Sequence, residues 1–429
     1  MKKLVWPDYS LKGKKYGLDR VRKFLDLLGN PQDKLPPVFH VAGTNGKGST
    51  TAFLKYILEA SNCKVHRFTS PHLVNFNERI EISSKIISDN KLNKLSLECK
   101  KIVEKNNSDI SWFEAIASMA FLGFSRNNAD ATILEVGLGG RLDATNVIKN
   151  PLVTIITPVS LDHMHILGDT IEKIAEEKAG IMKQNCPVII TKQHPSVSKI
   201  LKKIAKEKGC EVYEYGKEWN VRTVENGFIF EGLGKSWKFS NPALTGEHQV
   251  INAGGAVAGL LCQNKILVSK ESIEQGILNT KWNGRLQDLR GTKLHKLLPD
   301  NFELWLDGAH NEDGAKQIAN WINDRDKRDK KPTVIVFGML ERKNPKLFLE
   351  KLKGNIEMLI AINIKNETKC IEAEELFGYA KDLGFNSLAK ENFIEALKFI
   401  SQKYKDKYLS VRIIICGSLY LVGSVLEKI

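Results

Sequence analysis

The sequence predicts an α/β protein of two domains, each built on a mostly parallel sheet. Three observations predict this class. Runs of β-branched residues alternate with stretches of helical periodicity, which is the order expected of βαβ units. The alternation stops midway along the chain and begins again near Phe302. The length of 429 residues also exceeds the usual length of a domain with a single hydrophobic core.

The first alternating series begins at residue 38. Its predicted strands cover residues 38–41, 131–136 and 153–156, and its predicted helices cover 49–60, 112–126 and 170–182. A Gly-rich turn separates the first strand from the first helix. Between 211 and 239 short strands alternate with turns, so we expect a small antiparallel addition there.

The second series has predicted strands at 302–306, 333–337, 358–364 and 411–416, with helices between them. The apolar stretch 413–426 is shorter than the roughly 20 residues of a membrane span and contains Gly and Ser. It is predicted to be a buried strand followed by a helix. The pattern places a first domain at 1–287, a linker at 288–300 and a second domain at 301–429.

The charge balance is basic, with 64 Lys and Arg against 50 Asp and Glu and a formal charge of +14. Such a balance fits a nucleic-acid surface, an anionic membrane or small polyanionic substrates. The basic residues are dispersed and often alternate with acids, which disfavours a nucleic-acid partner. We expect small-molecule partners, no nucleic acid, no membrane and a monomer.

The termini and cysteines indicate the compartment. No apolar segment follows Met1–Leu4, so we expect no secretory signal. The seven cysteines are scattered and form no CxxC pair. This pattern favours a reducing compartment, hence a cytoplasmic protein, and disfavours a zinc site.

A candidate phosphate-binding loop runs from His40 to Thr50 and reads HVAGTNGKGST. Glycines at a strand-to-helix turn let backbone N–H groups converge on phosphate, and the helix N-terminus adds positive potential. Lys47 can place its charge on the β- and γ-phosphates, and Ser49 or Thr50 can face a magnesium ion. The loop departs from GxxxxGK[ST], because Val41 stands at the first glycine and Gly48 follows the lysine. An ordinary GTPase or motor ATPase is therefore disfavoured.

Two further residues stand out by position. Glu135 ends an apolar strand just before a Gly-rich turn, where a carboxylate points into the ligand crevice of a parallel sheet. Lys178 falls on the apolar face of the helix 170–182, four residues after Ile174. Burial there would lower the pKa of the lysine. The residues alone leave open whether its ammonium group reaches the surface instead.

The segment GTNGKGS resembles the Mur ligase superfamily and, more narrowly, the folylpolyglutamate synthase and dihydrofolate synthase family. Other segments agree in order along most of the chain. They are TSPHLVNFNERI from Thr69, WFEA from Trp112, LEVGLGGRLDATNV from Leu134, LDH from Leu161, EKAGIMK from Glu177, GEHQ from Gly246, WNGRLQ from Trp282 and LDGAHN from Leu306.

The resemblance implies an ATP-dependent ligase that joins L-glutamate to dihydropteroate or to folate polyglutamates through an acyl phosphate. It implies an N-terminal P-loop-type domain that binds ATP and pteroate, a smaller Rossmann-like C-terminal domain, and ATP with two magnesium ions as cofactors. By matching motifs, the nucleotide site takes Thr44, Asn45, Gly46, Lys47, Gly48, Ser49, Asn252, Arg285 and Asp307.

The resemblance also assigns the remaining roles. The metal ligands are Ser70, Glu135 and His163, and Lys178 is carbamylated to act as a further ligand. The catalytic residues are Lys47, Lys178 and His310, the last beside the γ-phosphate. The acceptor site takes His72, Trp112, Phe113, Glu114, Leu142, Asp143 and Ala144.

Other functions fit less well. A P-loop hydrolase or kinase would leave LDGAHN and EKAGIMK without a role. A peptidoglycan Mur ligase would need a UDP-binding domain before the loop, and only 39 residues precede His40. The sequence leaves open whether the acceptor is dihydropteroate, folate or both, and a folylpolyglutamate synthase with one activity is the alternative.

Overall fold

The computed structural model describes residue 6, residues 17–365, residue 367 and residues 369–429. These residues form two compact units. The first comprises the described residues up to Ala243 together with His248–Lys281, and the second comprises Leu244–Glu247 and Trp282–Ile429. The expectation about a secretory signal rests on residues 1–12, of which all but residue 6 lie outside the described part.

The first unit is built on an eight-stranded sheet. Its strands are β1 (Val38–Ala42), β2 (Val65–Phe68), β3 (Ile80–Ile82), β4 (Lys85–Ile86), β5 (Ala131–Glu135), β6 (Val153–Ile156), β7 (Val188–Ile190) and β8 (Val212–Glu214). They lie in the order β4-β3-β2-β5-β1-β6-β7-β8. Six neighbouring strands from β2 to β8 pair in parallel, and β3 and β4 add an antiparallel edge. The predicted, mostly parallel sheet is confirmed.

One helix precedes these strands along the chain, and the others lie between or after them. They are α1 (Asp19–Leu27), α2 (Lys47–Ala60), α3 (Asp89–Asn106), α4 (Trp112–Ser125), α5 (Met164–Leu167), α6 (Ile171–Ala179), α7 (Pro195–Glu207), α8 (Glu247–Leu261) and α9 (Lys270–Asn279). Side-chain caps set several starts: Ser111 caps α4 and Thr170 caps α6. Strands β1, β5 and β6 are buried along their whole length, as expected of strands covered on both faces.

The carboxyl ends of the central parallel strands meet at one edge of this sheet. β1 lies between β5 and β6, and β2 lies beyond β5. The loops that leave these strands therefore gather at the same edge, where open α/β sheets bind their ligands. The Gly-rich turn, Glu135 and the segments that begin at Thr69 and Thr157 all lie there.

A separate antiparallel sheet follows β8. It contains β9 (Trp219–Val224), β10 (Gly227–Gly232) and β11 (Lys235–Phe239), in the order β11-β10-β9. The predicted antiparallel addition is thus present but begins later than residue 211. Residues 212–214 join the main sheet as the parallel edge strand β8 instead, because Val212 continues the ladder beside Val188.

The second unit has a six-stranded sheet. Its strands are β12 (Gln287–Asp288), β13 (Glu303–Leu306), β14 (Thr333–Phe337), β15 (Met358–Ile362), β16 (Ser387–Lys390) and β17 (Arg412–Cys416). Their order is β12-β13-β17-β14-β15-β16, and all pairs except β12 with β13 are parallel. The helices are α10 (Glu312–Asp326), α11 (Pro345–Glu350), α12 (Ala373–Asp382), α13 (Phe393–Tyr404) and α14 (Leu419–Leu426).

The C-terminal apolar stretch forms β17 followed by α14, as predicted. The segment 288–300 lies within the second unit: its first residue ends β12, and the amide of Leu289 donates to Leu304 at 2.8 Å. Among the described residues, no helix is both long and apolar enough to cross a membrane.

Candidate active site

The Gly-rich turn between β1 and α2 forms the first part of the site. Gly43 and Gly46 have φ angles of +152° and +84°, a region that other residues rarely adopt. α2 begins at Lys47, so the turn leads into a helix N-terminus at the carboxyl edge of the sheet. Such a position attracts anions, because backbone N–H groups and the helix dipole point toward it.

Hydrogen bonds to the segment after β6 hold this turn. The amides of Thr44 and Asn45 donate to the carbonyl of Pro158 at 2.8 and 3.2 Å. The Thr44 hydroxyl donates to the Ser160 carbonyl, and the Asn45 side chain donates to the Ser160 hydroxyl, both at 3.1 Å. The turn and the loop after β6 are therefore fixed relative to each other.

Asn252 of α8 reaches the same turn. A Cβ atom built on Gly46 would lie only 2.5 Å from Asn252 Oδ1, so the two are in close contact. The Asn252 amide is buried and donates to Gln249 Oε1 at 3.0 Å. Gly48 and Ser49 are buried in the first turn of α2. The structure thus brings the predicted nucleotide residues of the first unit together.

Two lysines converge on this turn. Lys47 Nζ donates to the carbonyl oxygens of Gly43 and Thr44 at 3.0 and 3.2 Å. Lys178 Nζ, from α6, donates to the same Gly43 oxygen at 2.9 Å. Lys178 is only 4% exposed, so its amine does not reach the surface.

The surroundings of Lys178 favour its neutral form. Burial, first, and then the charge of Lys47 lower its pKa to about 7, although Asp162, Asp143 and Glu177 act in the opposite direction. An amine that is neutral near pH 7 is a nucleophile, whereas an ordinary lysine is almost fully protonated there.

Glu135 and Ser70 are adjacent at the ends of β5 and β2. The Ser70 amide donates to Glu135 Oε2 at 3.2 Å, and Glu135 is 4% exposed. Arg79 donates to the Ser70 hydroxyl at 3.1 Å. Carboxylate and hydroxyl oxygens are the hard ligands that magnesium prefers, so this pair fits such an ion.

His163 lies in the loop after β6. It precedes α5 with a φ of +52°, and its amide donates to Asp162 Oδ1 at 2.8 Å. It shares the carboxyl edge of the sheet with Glu135 and Ser70. Among the described residues, no group of three or more His, Cys, Asp or Glu side chains is placed to hold a metal ion.

Aromatic rings and one arginine line the side of the site predicted for the acceptor. The Arg79 guanidinium lies 5.0 Å from the Trp112 ring centre, and Phe76 meets Trp112 edge-on at 6.2 Å. Arg79 Nε also donates to His72 Nδ1 at 2.8 Å. Burial and the Arg79 charge lower the pKa of His72 to about 4, so His72 is neutral at physiological pH.

Phe113 and Asp143 both lie against Gly137, in the turn that follows β5. Phe113 packs against Phe68 at a ring separation of 5.8 Å. Asp143 and Ala144 are buried and Leu142 is half-buried. Burial raises the pKa of Asp143, while hydrogen bonds from Thr145, Leu138 and Gly137 oppose the rise.

Glu114 has a structural task that the sequence did not indicate. Its carboxylate accepts from the Ser111 amide at 2.6 Å and so completes the capping box of α4. It also accepts two hydrogen bonds from Arg20, at 3.3 and 3.1 Å. Both carboxylate oxygens are thus engaged in fixing the start of the helix that carries Trp112 and Phe113.

In the second unit, Asp307 organises the chain around Arg285. Asp307 follows β13 and accepts from the amides of Leu286 and Ala309 at 2.8 and 2.7 Å. Burial raises its pKa, and the Arg285 charge acts against the rise. The His310 Nδ1 donates to the Gly308 carbonyl at 2.8 Å, which leaves Nε2 as the unprotonated nitrogen when the ring is neutral. These three predicted residues lie together.

Two residues of the first unit were not predicted to be part of the site. Arg79 lies inside the segment TSPHLVNFNERI, but only the fold shows that it contacts both Ser70 and His72. His40 precedes the Gly-rich turn and is fully buried. A charged or imidazole side chain within an apolar strand is the signal that could have drawn attention to it.

Comparison with known families decides the identity of the fold. The Mur ligase middle domain matches residues 41–260, and the dihydrofolate synthetase C-terminal domain matches residues 291–428. The dihydrofolate synthase/folylpolyglutamate synthase of Bacillus subtilis is 32% identical over 430 residues, which cover 97% of this chain and 96% of that protein. The chain belongs to the dihydrofolate synthase and folylpolyglutamate synthase family. The resemblance drawn from the motifs is confirmed, and so is the enzyme class, a ligase.

Solved structures of this family share the fold throughout. An E. coli FolC in complex with DHPP and ADP superimposes with a TM-score of 0.86, at 28% identity, over 98% of this chain and 94% of that one. The bifunctional folylpolyglutamate synthase/dihydrofolate synthase from Yersinia pestis, complexed with AMPPNP and Mn ion, gives a TM-score of 0.84 at 27% identity, over 97% and 94%. The α/β architecture predicted from the sequence is that of the family.

Proposed function

We propose that this chain is an ATP-dependent ligase that joins L-glutamate to dihydropteroate and also to tetrahydrofolate polyglutamates. The observation that carries the proposal is the convergence of Lys47 and Lys178 on Gly43 O, at the edge of the sheet where β5 ends in Glu135. Cationic groups for phosphate and hard oxygen for a divalent ion are the requirements of ATP chemistry. Relatives that carry both activity names over nearly the whole chain support the use of both acceptors.

The reaction has two chemical steps. A carboxylate oxygen of the acceptor attacks the γ-phosphorus of ATP, which forms an acyl phosphate and releases ADP. The free amine of glutamate then attacks the acyl carbon, the carbon–oxygen bond to phosphate breaks, and the amine loses a proton. The enzyme mainly positions these anions and neutralises their charge.

Each predicted nucleotide residue has a task in this scheme. The turn from Thr44 to Ser49 cradles the phosphates, and Lys47 neutralises the β- and γ-phosphates. Asn252 lies toward the adenine. In the second unit Arg285 contacts phosphate, Asp307 faces the ribose and His310 faces the γ-phosphate. The domain predicted at 1–287 takes the ATP- and pteroate-binding role. The domain predicted at 301–429 takes the Rossmann-like role, and the predicted linker at 288–300 belongs to the same compact unit as this domain.

Two magnesium ions complete the proposal. Ser70, Glu135 and His163 would hold one, and a carbamate on Lys178 would help to hold the other. Bound magnesium supplies charge neutralisation at the phosphates. The buried Lys178, whose pKa is about 7, has the neutral amine that carbamylation requires: the amine adds carbon dioxide and releases one proton.

The acceptor would lie between the Arg79–Trp112 side and the Asp143 side of the site. His72, Trp112, Phe113, Glu114, Leu142, Asp143 and Ala144 form its walls in this proposal. We further propose that the protein acts in the cytoplasm as a monomer.

One assay tests the function. Phosphate release is measured with ATP, magnesium and glutamate, and with dihydropteroate or tetrahydrofolate as the acceptor. Release with both acceptors supports a bifunctional enzyme, and release with tetrahydrofolate alone would make it a folylpolyglutamate synthase with one activity. Release that needs neither glutamate nor acceptor would instead indicate a nucleotide hydrolase. No release under any condition would refute the proposal.

A further inference from the structure

A buried chain of hydrogen bonds runs from β1 to the loop after β5. His40 Nε2 lies 2.9 Å from Thr145 Oγ1, and Thr145 Oγ1 lies 2.6 Å from Asp143 Oδ1. Asp143 Oδ2 accepts from the amides of Gly137 and Leu138 at 3.0 and 2.9 Å. His40 and Thr145 are fully buried, and Asp143 is 5% exposed.

The direction of the protons along this chain follows from counting donors. Thr145 has one hydroxyl proton, and its amide also donates to Asp143 Oδ1 at 3.0 Å. If the hydroxyl donates to the carboxylate, His40 must donate from Nε2 and keeps an unprotonated Nδ1. The opposite direction would need a protonated Asp143 and would bury an N–H at Nδ1, which has no hydrogen-bond partner among the described residues. A buried donor without a partner is costly, so the first direction holds.

This chain of hydrogen bonds ends at the turn after β5, which lies between the Phe113 side and the Lys178 side of the site. This GLGG turn, residues 137–140, begins two residues after Glu135. A Cβ atom on Gly137 would overlap the ring of Phe113, and one on Gly140 would lie 2.7 Å from the Glu177 carbonyl and 3.0 Å from the Cα of Lys178. The turn is therefore packed between Phe113 and α6. A small shift of its backbone would displace Phe113 or α6.

We propose that His40 is a positioning residue: it orients Thr145, which holds Asp143, which in turn fixes the GLGG turn as a wall of the acceptor site. The proposal rests on the function proposed above. Asp143 already accepts four hydrogen bonds, from the amides of Gly137 and Leu138 and from the amide and hydroxyl of Thr145, so within the acceptor wall its main task is to hold the turn. A carboxylate offers about four such acceptor positions.

Paired substitutions test this chain of hydrogen bonds. His40→Leu and Thr145→Val remove one link each, whereas His40→Gln keeps a donor near the position of Nε2 and Thr145→Ser keeps the hydroxyl. Phosphate release is measured against acceptor concentration and, separately, against ATP concentration. His40→Leu and Thr145→Val should each raise the KM for the acceptor about tenfold, the size of one buried hydrogen bond. The KM for ATP should stay unchanged, and the Gln and Ser variants should restore the acceptor KM.

The double variant His40→Leu/Thr145→Val should be no worse than either single variant, because both break the same chain. His66→Leu is the matched control. His66 is also buried in a strand of this sheet, with its ring nitrogens on Asn127 O and the Ser83 amide, away from the GLGG turn. It should lower the melting temperature and leave the acceptor KM as it was.

Three kinetic outcomes would overturn the proposal: an unchanged acceptor KM in Thr145→Val, an equal rise in the KM for ATP, or the same rise in His66→Leu. A wild-type protein that releases no phosphate would refute the proposed function instead. In that case the chain of hydrogen bonds is tested independently of activity, by the ¹⁵N NMR spectrum of the histidine imidazoles. An Nε2–H tautomer at His40 whose signal shifts in Thr145→Val supports it, and an Nδ1–H tautomer refutes it.

Discussion

Lys47 Nζ and Lys178 Nζ donate to one and the same atom, the carbonyl oxygen of Gly43, at 3.0 and 2.9 Å. Two ammonium groups this close repel each other, and the burial of Lys178 adds to the cost of its charge. Burial and the charge of Lys47 therefore make Lys178 the amine that becomes neutral near pH 7.

Replacing Lys47 by Ala should lower the rate of phosphate release at least about 100-fold, the loss that follows removal of one group that stabilises developing charge. The fold should persist, because the hydrogen bonds from the Lys47 amine to the carbonyl oxygens of Gly43 and Thr44 lie within its own turn. The rate is measured at saturating ATP, and circular dichroism checks the fold.

Lys203→Ala serves as the control for this change. Lys203 is on α7, and its side chain is 77% exposed. It should leave the rate unchanged. A Lys47→Ala protein that keeps the wild-type rate would contradict the phosphate role of Lys47.

Activity should depend on carbon dioxide if Lys178 is carbamylated. Because the pKa of Lys178 is about 7, each pH unit below 7 lowers the neutral fraction of the amine about tenfold. Enzyme depleted of bicarbonate should lose activity at pH 8 and regain it when bicarbonate is added. At pH 6 the same addition should restore much less.

Lys178→Met shows whether the effect belongs to this residue, since the variant should be insensitive to bicarbonate at either pH. Mass spectrometry of the native protein should find the mass of one carbon dioxide on the peptide that contains Lys178. Equal activity with and without bicarbonate, together with an unmodified peptide, would argue against carbamylation.

The sequence predicted the elements that combine apolar runs with glycine boundaries. β1, β5, β6 and the four main strands of the second unit are of this kind. The short strands β12 and β16 were not predicted, because two to four half-exposed residues carry no clear alternation. β8 was placed in the antiparallel region because hairpins follow it, and only the ladder with β7 decides otherwise.

The sequence named candidate residues for the site but not the hydrogen bonds between them. Motifs placed Glu114 and Asp143 near the acceptor, whereas the structure shows both carboxylates satisfied by backbone amides and neighbouring side chains. Which donors a carboxylate meets depends on loops that are distant in sequence, and spacing cannot reveal them. Lys178 and Gly43 are 135 residues apart in the sequence, so their contact could not be predicted from spacing either.

Gly46→Ala should weaken the binding of MgADP about tenfold or more. The residue has a φ of +84°, and a new Cβ would lie 2.5 Å from Asn252 Oδ1. Alanine would be strained there, at a cost on the order of 1–2 kcal/mol, and the contact would displace either the turn or Asn252. Isothermal titration calorimetry measures the affinity.

Gly378→Ala is the matched control for a glycine change. Gly378 lies in α12, and a Cβ there meets no atom within 4 Å. The variant should bind MgADP as the wild type does and should gain about 0.5–1 kcal/mol in the free energy of unfolding. Wild-type affinity in Gly46→Ala would show that the turn accepts a side chain.

A buried ion-pair network stabilises the second unit at the amino ends of its strands, opposite the carboxyl ends where Asp307 lies. Glu303 begins β13, Arg412 begins β17, and the two residues are paired across the ladder. Glu303 accepts from Lys331 at 2.7 Å and from the Trp305 indole at 3.0 Å, and Arg412 donates to Asp326 at 2.7 Å. Single charges at strand starts look exposed in a sequence, so this network was not predicted.

The stability of the protein should fall in acid because of Glu303. Burial alone would raise the pKa of Glu303, but hydrogen bonds from Lys331 and Trp305 and the charges of Lys331 and Arg412 lower it to about 2. The unfolded chain titrates near its usual value of 4.5. The stabilisation is therefore complete above pH 4.5 and is lost as the pH falls toward 2, by an amount on the order of 2 kcal/mol.

Urea unfolding followed by tryptophan fluorescence at pH 7, 4 and 3 measures this loss. Glu303→Gln should be less stable than wild type at pH 7 and should show a shallower decline in acid, because the titrating carboxyl is gone. Glu395→Gln, with its side chain 47% exposed on α13, should decline as the wild type does. If Glu303→Gln keeps the wild-type decline, the acid sensitivity arises from other carboxylates and the network is no determinant of it.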